Sequence, residues 1–86
     1  MARKNVRNKS YTYTVVLEPD VKGGFAVCCP ALPGVVTEGE TVEEALIMAK
    51  DAITGYLKSL RKDKLPIPQE RGAIVSPLTV DVPELV

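Results

Sequence analysis

The reactive inventory of this chain is narrow. Its 86 residues hold two adjacent cysteines, Cys28 and Cys29, and 11 acidic side chains, but no histidine. Without His there is no Ser-His-Asp triad, no Cys-His pair and no His-based metal site. Hydrolysis would therefore rest on carboxylates or on a metal held by them. A two-metal nuclease needs several acids converging on ions roughly 3.5 to 4 Å apart. The acids here are dispersed: Glu18 and Asp20 flank a turn, Glu38 and Glu40 precede a helix, and Glu43, Glu44 and Asp51 fall on that helix. Glu43 and Glu44 suit a helix start, where carboxylates are favoured by the backbone N–H groups. Side chains of adjacent strand residues point to opposite faces, so Cys28 and Cys29 are not expected to bridge. Phe25, Ala26, Val27 and Pro30 around them supply no positive charge to activate a thiol. The expectation is two small buried or half-buried thiols, no metal, no cofactor and no catalytic residue.

Charge is balanced overall, with 11 basic residues against 11 acidic, but not along the chain. Arg3, Lys4, Arg7 and Lys9 fall within the first ten residues, where there is no acid, leaving the remainder mildly acidic. Such a basic arm can touch phosphate in a salt-dependent way. Its simpler reading is a solvated, flexible terminus over residues 1–10, followed by one domain over 11–86. No apolar run approaches the roughly 20 residues of a membrane-spanning helix, and the basic start lacks the apolar stretch of a signal peptide. A cytoplasmic protein is expected.

The elements that must position these residues follow from periodicity. Tyr11 to Glu18 alternates, with Tyr11, Tyr13, Val15 and Leu17 on one face and Thr12, Thr14, Val16 and Glu18 on the other, which predicts a strand. Pro19 to Gly24 has the Pro, Asp and Gly chemistry of a hairpin loop. Phe25 to Cys29 is the return strand. Pro30-Ala31-Leu32-Pro33-Gly34 cannot continue a ladder, because each proline lacks an N–H and restricts its predecessor. Val35 to Glu38 reads as a short third strand.

Thr41-Val42-Glu43-Glu44 fits a helix capping box. From Val42, the apolar residues Ala45, Leu46, Ala49, Ile53, Tyr56, Leu57 and Leu60 form a stripe within roughly 60° of one direction, suited to lie on a sheet. The helix is expected to run to about Arg61 or Lys62. Ile47, Met48, Thr54 and Gly55 project away from the stripe, which suggests a contact surface for another chain. After a proline-containing connector, Ala73 to Val82 alternates again and predicts a fourth strand, at an edge because of Pro77. The order β-β-β-α-β gives an α+β fold, a mainly antiparallel sheet with one helix on one face. So small a core supplies only about 3 to 5 kcal/mol, so a homodimer or tetramer is expected. It would use Ile47, Met48 and Gly55, the open sheet face or an edge.

The succession Tyr13-Thr14-Val15-Val16-Leu17-Glu18-Pro19-Asp20, Gly23-Gly24-Phe25, Cys29-Pro30-Ala31-Leu32-Pro33-Gly34 and Thr37-Glu38-Gly39-Glu40-Thr41-Val42-Glu43-Glu44-Ala45 resembles the HicB antitoxin family. The likeness continues through Tyr56-Leu57 and Leu65-Pro66-Ile67-Pro68 and covers about residues 11–70. It implies a truncated, catalytically inactive RNase H-like domain. It also implies a HicA-like partner, a small mRNA-cleaving toxin whose active site the antitoxin masks. Pro30, Leu32, Pro33, Gly34, Glu38 and Glu40 are the candidates to meet such a basic, RNA-binding partner. Many family members carry a C-terminal DNA-binding segment for which this sequence shows no pattern. DNA binding is therefore in doubt, with Arg3, Lys4, Arg7 and Lys9 the candidates for any nucleic-acid contact. Two other functions stay open: a stand-alone oligomeric nucleic-acid-binding or regulatory module, and an RNase H-like metal-dependent nuclease.

Overall fold

The computed structural model describes residues 9–85. Three strands, β1 (Val16–Pro19), β2 (Phe25–Cys28) and β3 (Val36–Gly39), are followed by one helix, α1 (Val42–Lys62). The sheet has the order β1-β2-β3 and is antiparallel throughout, so the α+β class and the element order through the helix hold. At the β1-β2 turn, Asp20 accepts from Gly23 N through its carbonyl and from Lys22 N through its carboxylate. Gly23 and Gly24 take the positive φ values, 97° and 80°, that this tight reversal requires.

The register puts Leu17, Val27 and Thr37 in one row under the helix, and Pro19, Phe25 and Gly39 in the next. Val27, Ala45 and Ala49 are buried together, with Val15, Leu17 and Phe25 packed around them. The helix approaches closely enough that a Cβ on Gly39 would lie 2.4 Å from the Ala45 nitrogen. Only small residues fit at this contact, so Ala45 and Ala49 are buried, while the larger stripe residues Leu46 and Tyr56 stay on its exposed flanks. Thr41 caps the helix, its hydroxyl accepting from Glu44 N at 3.0 Å. At the other end Lys64 N donates to Arg61 O and Leu65 N to Leu60 O, a Schellman closure that places Lys64 at φ 56°.

Three expectations need correction. The first strand is shorter than its alternation: Thr14 would face Pro30, which has no N–H, and the Thr14 N–H is instead taken by the Glu70 carboxylate at 2.8 Å. Cys29 is buried, but Cys28 is exposed, because β2 turns it to the face that no helix covers. No fourth strand forms among the described residues. The segment from Ala73 to Val82 is extended and exposed, with no hydrogen-bonded neighbour strand. Consequently the radius of gyration is 18.0 Å, against about 12 Å for a compact chain of this length.

Candidate functional site

β2 lies between two partners, so each of its outward residues is flanked on both sides. The register aligns Val16, Cys28 and Val36 in one outer row, and Glu18, Ala26 and Glu38 in the next. Cys28, Ala26, Glu18 and Glu38 are exposed, Val16 is half-buried, and Val36 is 70% exposed. The open sheet face is therefore an apolar row beside a row carrying two carboxylates, each one strand from Ala26. Neighbouring strands lie about 4.8 Å apart, which separates Glu18 and Glu38 by roughly 10 Å of backbone. That spacing makes a negative patch, suited to a basic surface. Among the described residues no group of three Cys, Asp or Glu side chains could hold a metal ion.

One end of this face is bounded by the Pro30–Gly34 loop, which is two consecutive reverse turns. Leu32 N donates to Cys29 O and Val35 N to Leu32 O, both at 2.9 Å. Pro30 and Pro33 each occupy the second turn position, which their fixed φ suits. The result buries every third residue, Cys29, Leu32 and Val35, in a second cluster with Tyr13, Val15, Ala31, Ala52, Ile53 and Leu57 around it. Leu32 is fully buried and supports the loop from within, whereas Pro30, Pro33 and Gly34 form its exposed corners.

The other sequence candidates fall elsewhere. Glu40 is exposed between β3 and the helix. Ile47, Met48 and Gly55 are exposed on the helix, Ile47 at 68%. Arg3, Lys4 and Arg7 lie outside the described residues. Lys9 packs its ammonium 5.5 Å from the Tyr11 ring centroid, and Tyr11 stacks on Tyr13. Sequence reasoning named Glu38 but passed over Glu18, Ala26 and Cys28 as surface residues. Their alternation was visible; the pairing register that makes them one face was not.

A second constellation was missed entirely. Glu70 accepts from Thr14 N and Ala73 N, and Tyr13 donates its hydroxyl proton to Pro68 O. The two backbone N–H donors hold the Glu70 carboxyl below its ordinary pKa, the Thr14 bond contributing most. Burial, followed by Tyr11, Cys29 and Glu70 nearby, raises the Tyr13 phenol, which keeps it a donor. Together they staple the post-helix connector to the start of β1.

Residues 13–78 match the HicB_like antitoxin of bacterial toxin-antitoxin system. The chain belongs to the HicB-like antitoxin family. A UPF0150 protein of Synechocystis sp. is 41% identical over 70 residues, covering 81% of this chain and 87% of the relative. A UPF0150 protein of Thermoplasma acidophilum is 47% identical over 60 residues, covering 70% and 87%. Antitoxin HicB 1 of Photorhabdus laumondii is 40% identical over 76 residues, covering 84% of this chain but 49% of that HicB protein. The family implies a toxin partner in general terms. No helix among the described residues is long and apolar enough to cross a membrane.

Proposed function

We propose that this HicB-like chain acts without catalysis of its own, binding a small mRNA-cleaving toxin of the HicA kind and covering its RNA site. The observation that carries this is the open sheet face, where Val16, Cys28 and Val36 offer apolar contact and Glu18 and Glu38 flank it with charge. A surface that binds RNA is basic, so carboxylates on the masking protein compete for the same cations. The exposed corners Pro30, Pro33 and Gly34 add a rim preshaped by two turns, which reduces the ordering cost of association. Glu40 extends the acidic side towards the helix start. The truncated RNase H-like reading agrees with this role, since the sheet presents acids as a patch and not as a converging metal site.

The test is purification of the tagged protein with its small basic partner from the source cells, followed by RNA-cleavage assays on the separated components. RNase activity should appear when this chain is removed and disappear when it is returned. The double variant Glu18→Lys/Glu38→Lys should keep the folded circular-dichroism spectrum and lose inhibition. Inhibition that survives the double reversal would place the toxin elsewhere, and absence of any suppressed RNase would sink the reading.

A further inference from the structure

The segment after Ala73 has the alternation of a strand but lacks a neighbour. Ile74, Leu78, Val80 and Val82 fall on one side by parity and are exposed at 90%, 87%, 70% and 80%. The sheet has a matching vacancy. Because Asp20 N bonds Gly24 O, the hydrogen-bonded pairs of the hairpin continue through Glu18 with Ala26 and Val16 with Cys28. Val15 and Leu17 therefore direct their N–H and C=O groups to the open side of β1. Their side chains are only half-buried, unlike that of Val27 in the centre of the sheet.

We infer that residues 73–82 pair, antiparallel, with the free β1 edge of a second copy of this chain, and that the two copies exchange these strands reciprocally. Three observations select this occupant and this direction. In an antiparallel pair, directly opposed residues share a face and exchange both hydrogen bonds. Leu78, Val80 and Val82 can then face the core and bond Val15 and Leu17, while Pro77 and Pro83 turn their missing N–H groups to the outer edge, where proline is tolerated. Parallel pairing would reverse this and put Pro77 inside the ladder.

The root of the segment decides between the chain's own edge and a partner's. Glu70 holds Ala73 on the side of Thr14 that faces Pro30, across β1 from its free edge, with Gly72 at φ 75° just before it. To pair antiparallel with its own free edge the segment would have to cross the start of β1 and reverse, and no turn interrupts residues 73–85. The antiparallel direction is supplied by a second copy. The third observation is charge. Beside β1, between the helix and Tyr11 and Tyr13, lies a groove of about 680 Å³ floored by Ile53, Leu57 and Ile67 and rimmed by Lys9, Lys50, Lys58 and Arg61. Residues 73–85 carry no basic residue, and Glu84, of the same parity as Val80 and Val82, falls on the groove's side. A reciprocal exchange satisfies both copies at once, as a closed twofold dimer requires.

Strand exchange uses the β1 edge and the proposed toxin reading uses the outer face, so an oligomer measurement and an inhibition measurement can fail separately. Sedimentation analysis and isotope-filtered NMR on a mixture of labelled and unlabelled full-length protein test it. A dimer is expected, with intermolecular contacts from the Val80 methyls to Val15 and Leu17. Val80→Pro removes an N–H inside the ladder and should raise the dimer dissociation constant more than about tenfold. Thr79→Pro, with its nitrogen on the outer side, should leave the constant within about threefold. Neither touches the packed body, so both variants should retain its spectrum. A monomer at NMR concentrations, contacts from Val80 to β1 of the same chain, pairing of the two tails with each other, or equal effects of the two prolines would each overturn it.

Discussion

The segments 11–18 and 73–82 have the same alternating pattern, yet one belongs to a sheet and the other stands clear of the body. Tyr13, Val15 and Leu17 pack against buried residues of β2, the loop and the helix, whereas Ile74, Leu78, Val80 and Val82 touch solvent. Alternation specifies which side chains could share a face. Whether the strand forms depends on an available edge, on the direction from which the chain arrives, and on where its prolines fall. The first segment meets β2 through a tight hairpin; the second is delivered by Glu70 to the wrong end of its own sheet.

The sharpest way to break the body alone is at its closest contact. Gly39→Val forces a side chain into the Ala45 backbone and should cost more than about 4 kcal/mol. That is comparable with the whole stability of a core this size, so loss of the amide dispersion in an NMR spectrum is the expected result. A matched pair then sets the two regions side by side. Leu32→Ala opens a cavity at a fully buried site and should lower unfolding stability by about 2 to 5 kcal/mol in urea titrations. Leu78→Ala, measured at protein concentrations where the chain is monomeric, should change it by less than about 0.5 kcal/mol.

The staple between the regions is pH-sensitive in a defined direction. Glu70 is held below its ordinary pKa when folded, so its contribution is complete above the usual carboxylate value and fades as pH falls through the lowered one. The amide shifts of Thr14 and Ala73 should therefore move together on acidification to below about pH 4. Glu70→Gln should abolish that titration. The smallest effect concerns the helix end. Lys64 adopts φ 56° in a position that favours glycine, and Lys64→Gly should stabilise the body by about 0.5 to 1 kcal/mol, read from the thermal midpoint.

Much of the fold was legible from sequence because its signals are local. The Thr41 cap, the alanine-lined helix stripe and the two glycines of the hairpin each specify their own element. The Pro30–Gly34 loop was legible as a break, but its buried Leu32 was not, since burial every third residue comes from two successive turns and not from strand or helix periodicity. The outer face was only half legible. Glu18 and Glu38 are twenty residues apart in the chain and become neighbours of Ala26 through the register alone. Glu70 carried no local signal, because its partners, Thr14 and Ala73, are defined by the path of the connector.

The adjacent thiols, Cys28 on the open sheet face and Cys29 in the core, give the chain two clocks with different mechanisms. A thiol reagent meets Cys28 directly, and its rate slows in proportion to how much of that face is occupied. Cys29 reacts only during the brief intervals when the loop and sheet come apart, so its rate follows the opening equilibrium of the fold. A ligand that merely tightens the body would slow the second clock and leave the first running, whereas one seated on the sheet would stop the first.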